Sequence, residues 1–154
     1  MLRIIEDDLN GADIQALLER HAAGMAEASP PGTCHFFDLD ALRAPSVTVW
    51  SIWDGDTLAG CGALHELDPT HGELKSMRTH DEHLGKGVGR QMLDHLMVVA
   101  RDRGYERLSL ETGNTPPFAA ALRLYESAGF EPCGPFGDYE ATDTDFNVYF
   151  TLEL

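Results

Sequence analysis

Cysteine is scarce: Cys34, Cys61 and Cys133 are the only three in 154 residues, and no two form a C-x-x-C pair. An odd, scattered set excludes a disulfide framework and argues against a cysteine zinc site. Cys61, inside an apolar run, reads as a small core residue. Lysine is scarcer still, with Lys75 and Lys86 alone. The 11 basic residues face 26 acidic ones, for a formal charge of −15. A surface of that sign repels phosphate backbones, which speaks against nucleic-acid partners, and attracts cations such as amines. The acids are spread along the whole chain, so solubility is the default reading of the charge. No apolar run approaches the roughly 18–20 residues of a bilayer span. The opening MLRIIEDDLN is acidic and lacks the basic-then-apolar layout of a secretory leader. Repeats, low-complexity tracts and clear linkers are missing, apart from the loop-like ASPPGT at 28–33. What is left is one cytoplasmic globular domain over 1–154, with no membrane partner.

Periodicity supplies the elements. Leu2–Glu6 reads as a strand. Asp13–Ala26 reads as a helix with Ile14, Leu17, Leu18 and His21 on one face, and Asp38–Arg43 as a short second helix. Val47–Trp53, Thr57–Glu66 and Glu73–Thr79 read as a three-strand meander, turned at Asp54-Gly55 and at Asp68–Gly72. Trp50 and Trp53 on the first of these are core candidates. Val88–Arg103 follows as a helix with Gly104 at C′, then Arg107–Glu111 as a strand. Pro117–Ala128 reads as a helix with Thr115 as N-cap and Gly129 at C′. Phe130–Cys133 and Asn147–Glu153 close the chain as strands. The order β-α-α-β-β-β-α-β-α-β-β, hairpins first and a βαβ crossover after, predicts a mixed α/β sheet.

The most informative segment is His83-Leu84-Gly85-Lys86-Gly87-Val88-Gly89-Arg90, between a strand and a helix. Successive glycine amides and a helix N-terminus make an anion nest, and Lys86 and Arg90 bring two of the few cations to it. Together they suit a pyrophosphate; a plain tight turn before a helix is the rival reading. The P-loop pattern is absent. The dinucleotide fingerprint fails because Arg90 stands where its third glycine belongs, and because hairpins precede the loop.

In this region the sequence resembles the GNAT superfamily of acyl-CoA-dependent N-acetyltransferases. Leu84–Gly89 maps onto that family's [Q/R]-x-x-G-x-[G/A] motif, Gly72–Thr79 is similar to its fourth strand, and Ala121–Phe130 is similar to its A-x-x-L-Y-x-x-x-G-F segment. Leu108–Gly113 and Gly134–Tyr139 further resemble a poorly characterised bacterial branch. Leu84 departs from the usual Arg or Gln. Phe118 departs from the usual Asn, whose contact to the pantetheine arm Asn114 would have to replace.

The resemblance implies acetyl-CoA as cosubstrate and direct attack by an amine in a ternary complex. It implies cofactor contacts from Met77, Arg78, Thr79, Leu84, Gly85, Lys86, Gly87, Val88, Gly89, Arg90, Asn114 and Tyr125. The backbone of Met77 and Thr79 would hold the pantetheine, with the Met77 N–H as oxyanion donor. Tyr125 would be the general acid, a phenol near pKa 10 facing a thiolate leaving group; a helix tyrosine that only packs is the rival. Glu73 is the first candidate base and Glu111 the second. Glu73 and Met77 share a face on a regular strand, and a bulge between them would change that. The acceptor would be a small-molecule or peptide amine, cationic by the charge argument, and a homodimer is a family-level expectation.

His65, His71, His80 and His83, with Asp81 and Glu82, form the one metal-like cluster. They lack the H-E-x-x-H spacing, so a solvated loop is the better reading and no metal is expected. Phe136, Asp138 and Tyr139 lie in a loop suited to wall the acceptor pocket. Two rivals to the enzyme remain: a non-catalytic acyl-CoA-binding or regulatory module on the same fold, and an interaction domain with a degenerate loop.

Overall fold

Alternating β-branched and aromatic residues with two tight turns produce the N-terminal half. A computed structural model of the chain describes residues 1–28, 39–114, 116–137 and 147–154. Cys34, Asp38, Thr115, Asp138 and Tyr139 lie outside the described residues. The elements run β1 (Leu2–Glu6), α1 (Ala12–Ala28), α2 (Leu39–Leu42), β2 (Val47–Asp54), β3 (Thr57–Asp68), β4 (His71–Thr79), α3 (Val88–Asp102), β5 (Arg107–Gly113), α4 (Ala119–Ser127), β6 (Glu131–Cys133) and β7 (Asn147–Glu153). They build one seven-stranded mixed sheet in the order β1-β2-β3-β4-β5-β7-β6. Among the described residues only β4 and β5 pair in parallel, joined across α3. The predicted α/β class and element order are those observed.

Two helical layers sandwich the sheet. The α3 stripe Val88, Met92, Leu93, Leu96 and Ala100 packs on Trp50, Ile52, Leu64, Leu74, Leu108 and Leu110. On the other face, Ile14 and Leu17 of α1 cover Val49, Leu58, Cys61 and Ala63. Trp50 belongs to the first cluster and Trp53 to the rim of the second, as strand alternation dictates. No helix among the described residues is long and apolar enough to cross a membrane.

Several boundaries differ from the sequence reading. β4 begins at His71 and β5 ends at Gly113, because cross-strand partners extend both beyond their apolar cores. The last helix does not start at Pro117: Pro116–Phe118 form a 3-10 turn, and α4 opens at Ala119 with Phe118 as N-cap. Phe130 precedes β6 rather than opening it. Arg103 is the C-cap of α3, and Gly104 takes φ +86° behind it.

Candidate active site at the β4–β5 splay

β4 and β5 pair only at His71↔Arg107, Gly72↔Leu108 and Glu73↔Ser109. Beyond Glu73 they diverge, and the sheet opens. The divergence coincides with a bulge in β4. Cys61 pairs with Arg78 but Ala63 with Lys75, so Ser76 and Met77 together oppose Gly62. Ser76 takes φ +54°, a left-handed conformation that costs a non-glycine residue about 1–3 kcal/mol. Gly62, opposite the bulge, leaves room for the Met77 side chain under α3: a Cβ there would lie 2.9 Å from Met77 Sδ and 2.8 Å from Met92 Cγ. The bulge breaks the two-residue alternation. Leu74 and Met77 face α3, whereas Glu73 and Lys75 face the α1 side. Glu73 and Met77 therefore do not share a face.

On the α3 side a cavity of about 360 Å³ lies beside the bulge, lined among others by Met77, Thr79, Leu84, Gly89, Leu124 and Tyr125. The glycine loop borders it through Leu84, Val88 and Gly89. Gly85 and Gly87 take φ +76° and +80°, where a side chain would be strained. Gly87 caps α3, and the first helical bond is Gln91 N–H to Gly87 C=O at 3.1 Å. The amides before Gln91 thus have no intrahelical partner, as at any helix start. Leu84 and Lys86 are exposed. Arg90 is tied across to Asp94 Oδ1 (3.0 Å) and Ser127 Oγ (3.2 Å), and Arg78 to Asp81 at 3.2 Å. Asn114 is exposed past β5 and is not among the residues lining the cavity.

Tyr125 is buried against Phe130, edge to face at 5.9 Å. Burial pushes its phenol up to about 12. It holds its proton at any ordinary pH, so an O–H is available to donate.

The α1 side is polar where the strands splay. Glu73, 2% exposed, receives His65 Nδ1 at 3.2 Å and the buried Lys75 ammonium at 3.5 Å. Glu111 lies within electrostatic reach of both members of that pair. Burial pushes its carboxyl up to about 8, Lys75 opposing the shift and Glu73 adding to it. Burial, then Arg78 and Lys75, hold His21 of α1 down to about 4. Phe136 stands over this face against His71 (5.8 Å) and Tyr149 (5.9 Å). The histidines are dispersed: His71 Nε2 meets Ser109 Oγ at 2.7 Å, His80 accepts from the Glu82 N–H, and His83 sits 3.8 Å from Asp54. Among the described residues no three such groups are placed to hold a metal ion.

The sequence reading did not single out Cys61, Lys75 or the Arg20–Asp81–Arg78 link as parts of this region. Asp81 bridges Arg78 and, at 3.5 Å, Arg20 of α1. Scarcity marks Lys75, the family resemblance marks Arg78 and the histidine-rich cluster includes Asp81; nothing local marks Arg20 or the link among the three.

A mixed sheet splayed at a bulged fourth strand, with a glycine loop capping the next helix, defines a class. The Acetyltransferase (GNAT) family model matches residues 12–130. The chain is 54% identical over 148 residues to YsnE, described as an uncharacterized N-acetyltransferase, of Bacillus subtilis (strain 168), covering 96% of this chain and 97% of that one. A Klebsiella pneumoniae protein assigned as an acyl-CoA N-acyltransferase superposes with a TM-score of 0.83 at 26% identity, over 100% of this chain and 98% of that one. A GNAT family acetyltransferase from Elizabethkingia anophelis, solved with acetyl-CoA bound, shares the fold with a TM-score of 0.74 at 19% identity, over 99% and 98%. The chain belongs to the GNAT acetyltransferase family, and its class is acyl-CoA N-acyltransferase.

Proposed function

We propose that the protein, working over its whole length as one cytoplasmic enzyme, moves an acetyl group from acetyl-CoA to a primary amine by direct attack in a ternary complex. The observation that carries this reading is the β4–β5 splay beside a cavity lined by Leu84, Val88 and Gly89 of the glycine-loop segment and by Tyr125. The relative from Elizabethkingia anophelis that holds acetyl-CoA on the same fold supports the choice of donor. The amides opening α3 hold the pyrophosphate, and the strand edge from Met77 to Thr79 holds the pantetheine.

The amine nitrogen forms a bond to the thioester carbon, and the Met77 N–H stabilises the tetrahedral oxyanion. The C–S bond then breaks, and the departing sulfur takes the Tyr125 proton. The acceptor enters from the α1 side. Its proton passes to Glu73 or Glu111, directly or through water, and an ammonium arriving there favours ionisation of Glu111. The net charge of −15 favours a cationic acceptor.

A thiol-release assay over a panel of amines tests the proposal. Acceptor-dependent release of CoA, with acetylated amine found by mass, is the expected result. Tight acetyl-CoA binding with no release for any amine would make the chain a non-catalytic acyl-CoA-binding module instead.

A further inference from the structure

The proposed oxyanion donor is a backbone amide in a strained bulge, and something must hold it there. The Cys61 thiol donates to the Ser76 carbonyl at 3.2 Å. The Arg78 backbone N–H is hydrogen-bonded to the same sulfur. One side chain therefore grips the backbone on both sides of Met77. Cys61 is 2% exposed and sits among Leu17, Leu58 and Ala63 on the α1 side, with its edge reaching the floor of the cavity. Every described peptide is trans, so the N–H of the Ser76–Met77 peptide points opposite to its C=O. With the carbonyl drawn toward the α1 side by the thiol, the amide is aimed at the α3 side, where the cavity and Tyr125 lie.

We propose that Cys61 is a positioning residue for acetyl transfer: its thiol fixes the Ser76–Met77 peptide so that the Met77 N–H faces the reacting carbonyl. It touches neither substrate and forms no covalent bond. Burial, the largest influence on this thiol, pushes it up to about 12. It stays an S–H donor throughout the working pH range and is a poor nucleophile. Glycine at 62 leaves room for the Met77 side chain, and the thiol gives the bulge its orientation.

The inference rests on the acetyl-transfer reading, so its test has one arm that needs no turnover. Crystal structures of Cys61→Ala and Cys61→Ser should differ at one place. The alanine variant should show the Ser76–Met77 peptide rotated or Ser76 out of its left-handed conformation, and the serine variant should keep both. In kinetics, Cys61→Ala should lose about 10–100-fold in kcat, less than deletion of a whole oxyanion donor, with KM for acetyl-CoA within about threefold of wild type. Cys61→Ser, which restores a donor, should recover most of the loss. Cys61→Val keeps the core filled without a donor and should behave like alanine, which separates orientation from folding. An unrotated peptide in the alanine variant, or equal kcat losses in alanine and serine variants, would overturn the proposal. A wild-type chain without turnover would overturn the transfer reading alone, and the crystal structures would still decide whether Cys61 holds the peptide.

Discussion

At the scale of single residues, Glu111 joins the site's chemistry to measurable stability. Its carboxyl is pushed from 4.5 up to about 8 in the folded protein. Below about pH 4.5 both folded and unfolded states are protonated and the fold bears no penalty. Between there and pH 8 the folded state retains a proton the unfolded state has lost, so stability falls as pH rises. Glu111→Gln removes that titration. Denaturant melts should find the variant within about 0.5 kcal/mol of wild type at pH 4.5 and more stable by about 1–3 kcal/mol at pH 9. A difference independent of pH would show that the carboxyl is not held protonated. Tyr125→Phe makes the complementary test. The ring keeps its packing on Phe130, so acetyl-CoA affinity should hold while kcat falls about 10²–10⁴-fold at saturating donor. A fall below about threefold would leave Tyr125 a packing residue.

At the scale of elements, the loop before α3 and the bulge of β4 differ in how they were encoded. The loop announces itself through Gly85, Gly87 and Gly89 within five residues, and the structure gives these glycines distinct duties. Gly87 needs its left-handed φ, whereas a Cβ on Gly89 would meet only Leu124 at 3.5 Å and Thr79 at 3.7 Å. Gly87→Val should therefore cost about 1–3 kcal/mol of stability by thermal melt and weaken acetyl-CoA binding by calorimetry. Gly89→Ala should fold like wild type, and any loss it shows should be in binding. Equal destabilisation by both would contradict the conformational assignment. The bulge had no such signal. Lys75-Ser76-Met77 contains no glycine, proline or asparagine, and the residues that meet its bulge, Gly62 and Cys61, lie on the neighbouring strand. A strand read alone keeps Glu73 and Met77 on one face; its partner separates them.

At the scale of the whole molecule, the mixed sheet and its order were legible because hairpin turns and helix stops sit at local, chemically distinctive positions. The cavity was legible only as a motif. Glu73 and Glu111 could be singled out one by one as candidate bases, but their meeting with Lys75, His65 and His21 could not, because the five come from four elements with no fixed spacing. Lys75, one of two lysines in a chain of charge −15, is buried against Glu73 instead of meeting solvent. Mass action supplies a test at this scale. A ligand that binds only the folded state, at a hundredfold excess over its Kd, adds about 2.7 kcal/mol. Acetyl-CoA should raise the melting temperature accordingly, and ATP at equal concentration should not.

The central claim is transfer, and it is tested most directly by following free CoA thiol with acetyl-CoA saturating and the amine varied, wild type beside Tyr125→Phe. Release should saturate with at least one cationic primary amine, yield one acetylated amine per thiol, and drop at least about a hundredfold in kcat in the variant. Thiol release at the same rate with and without amine, unchanged by Tyr125→Phe, would contradict it.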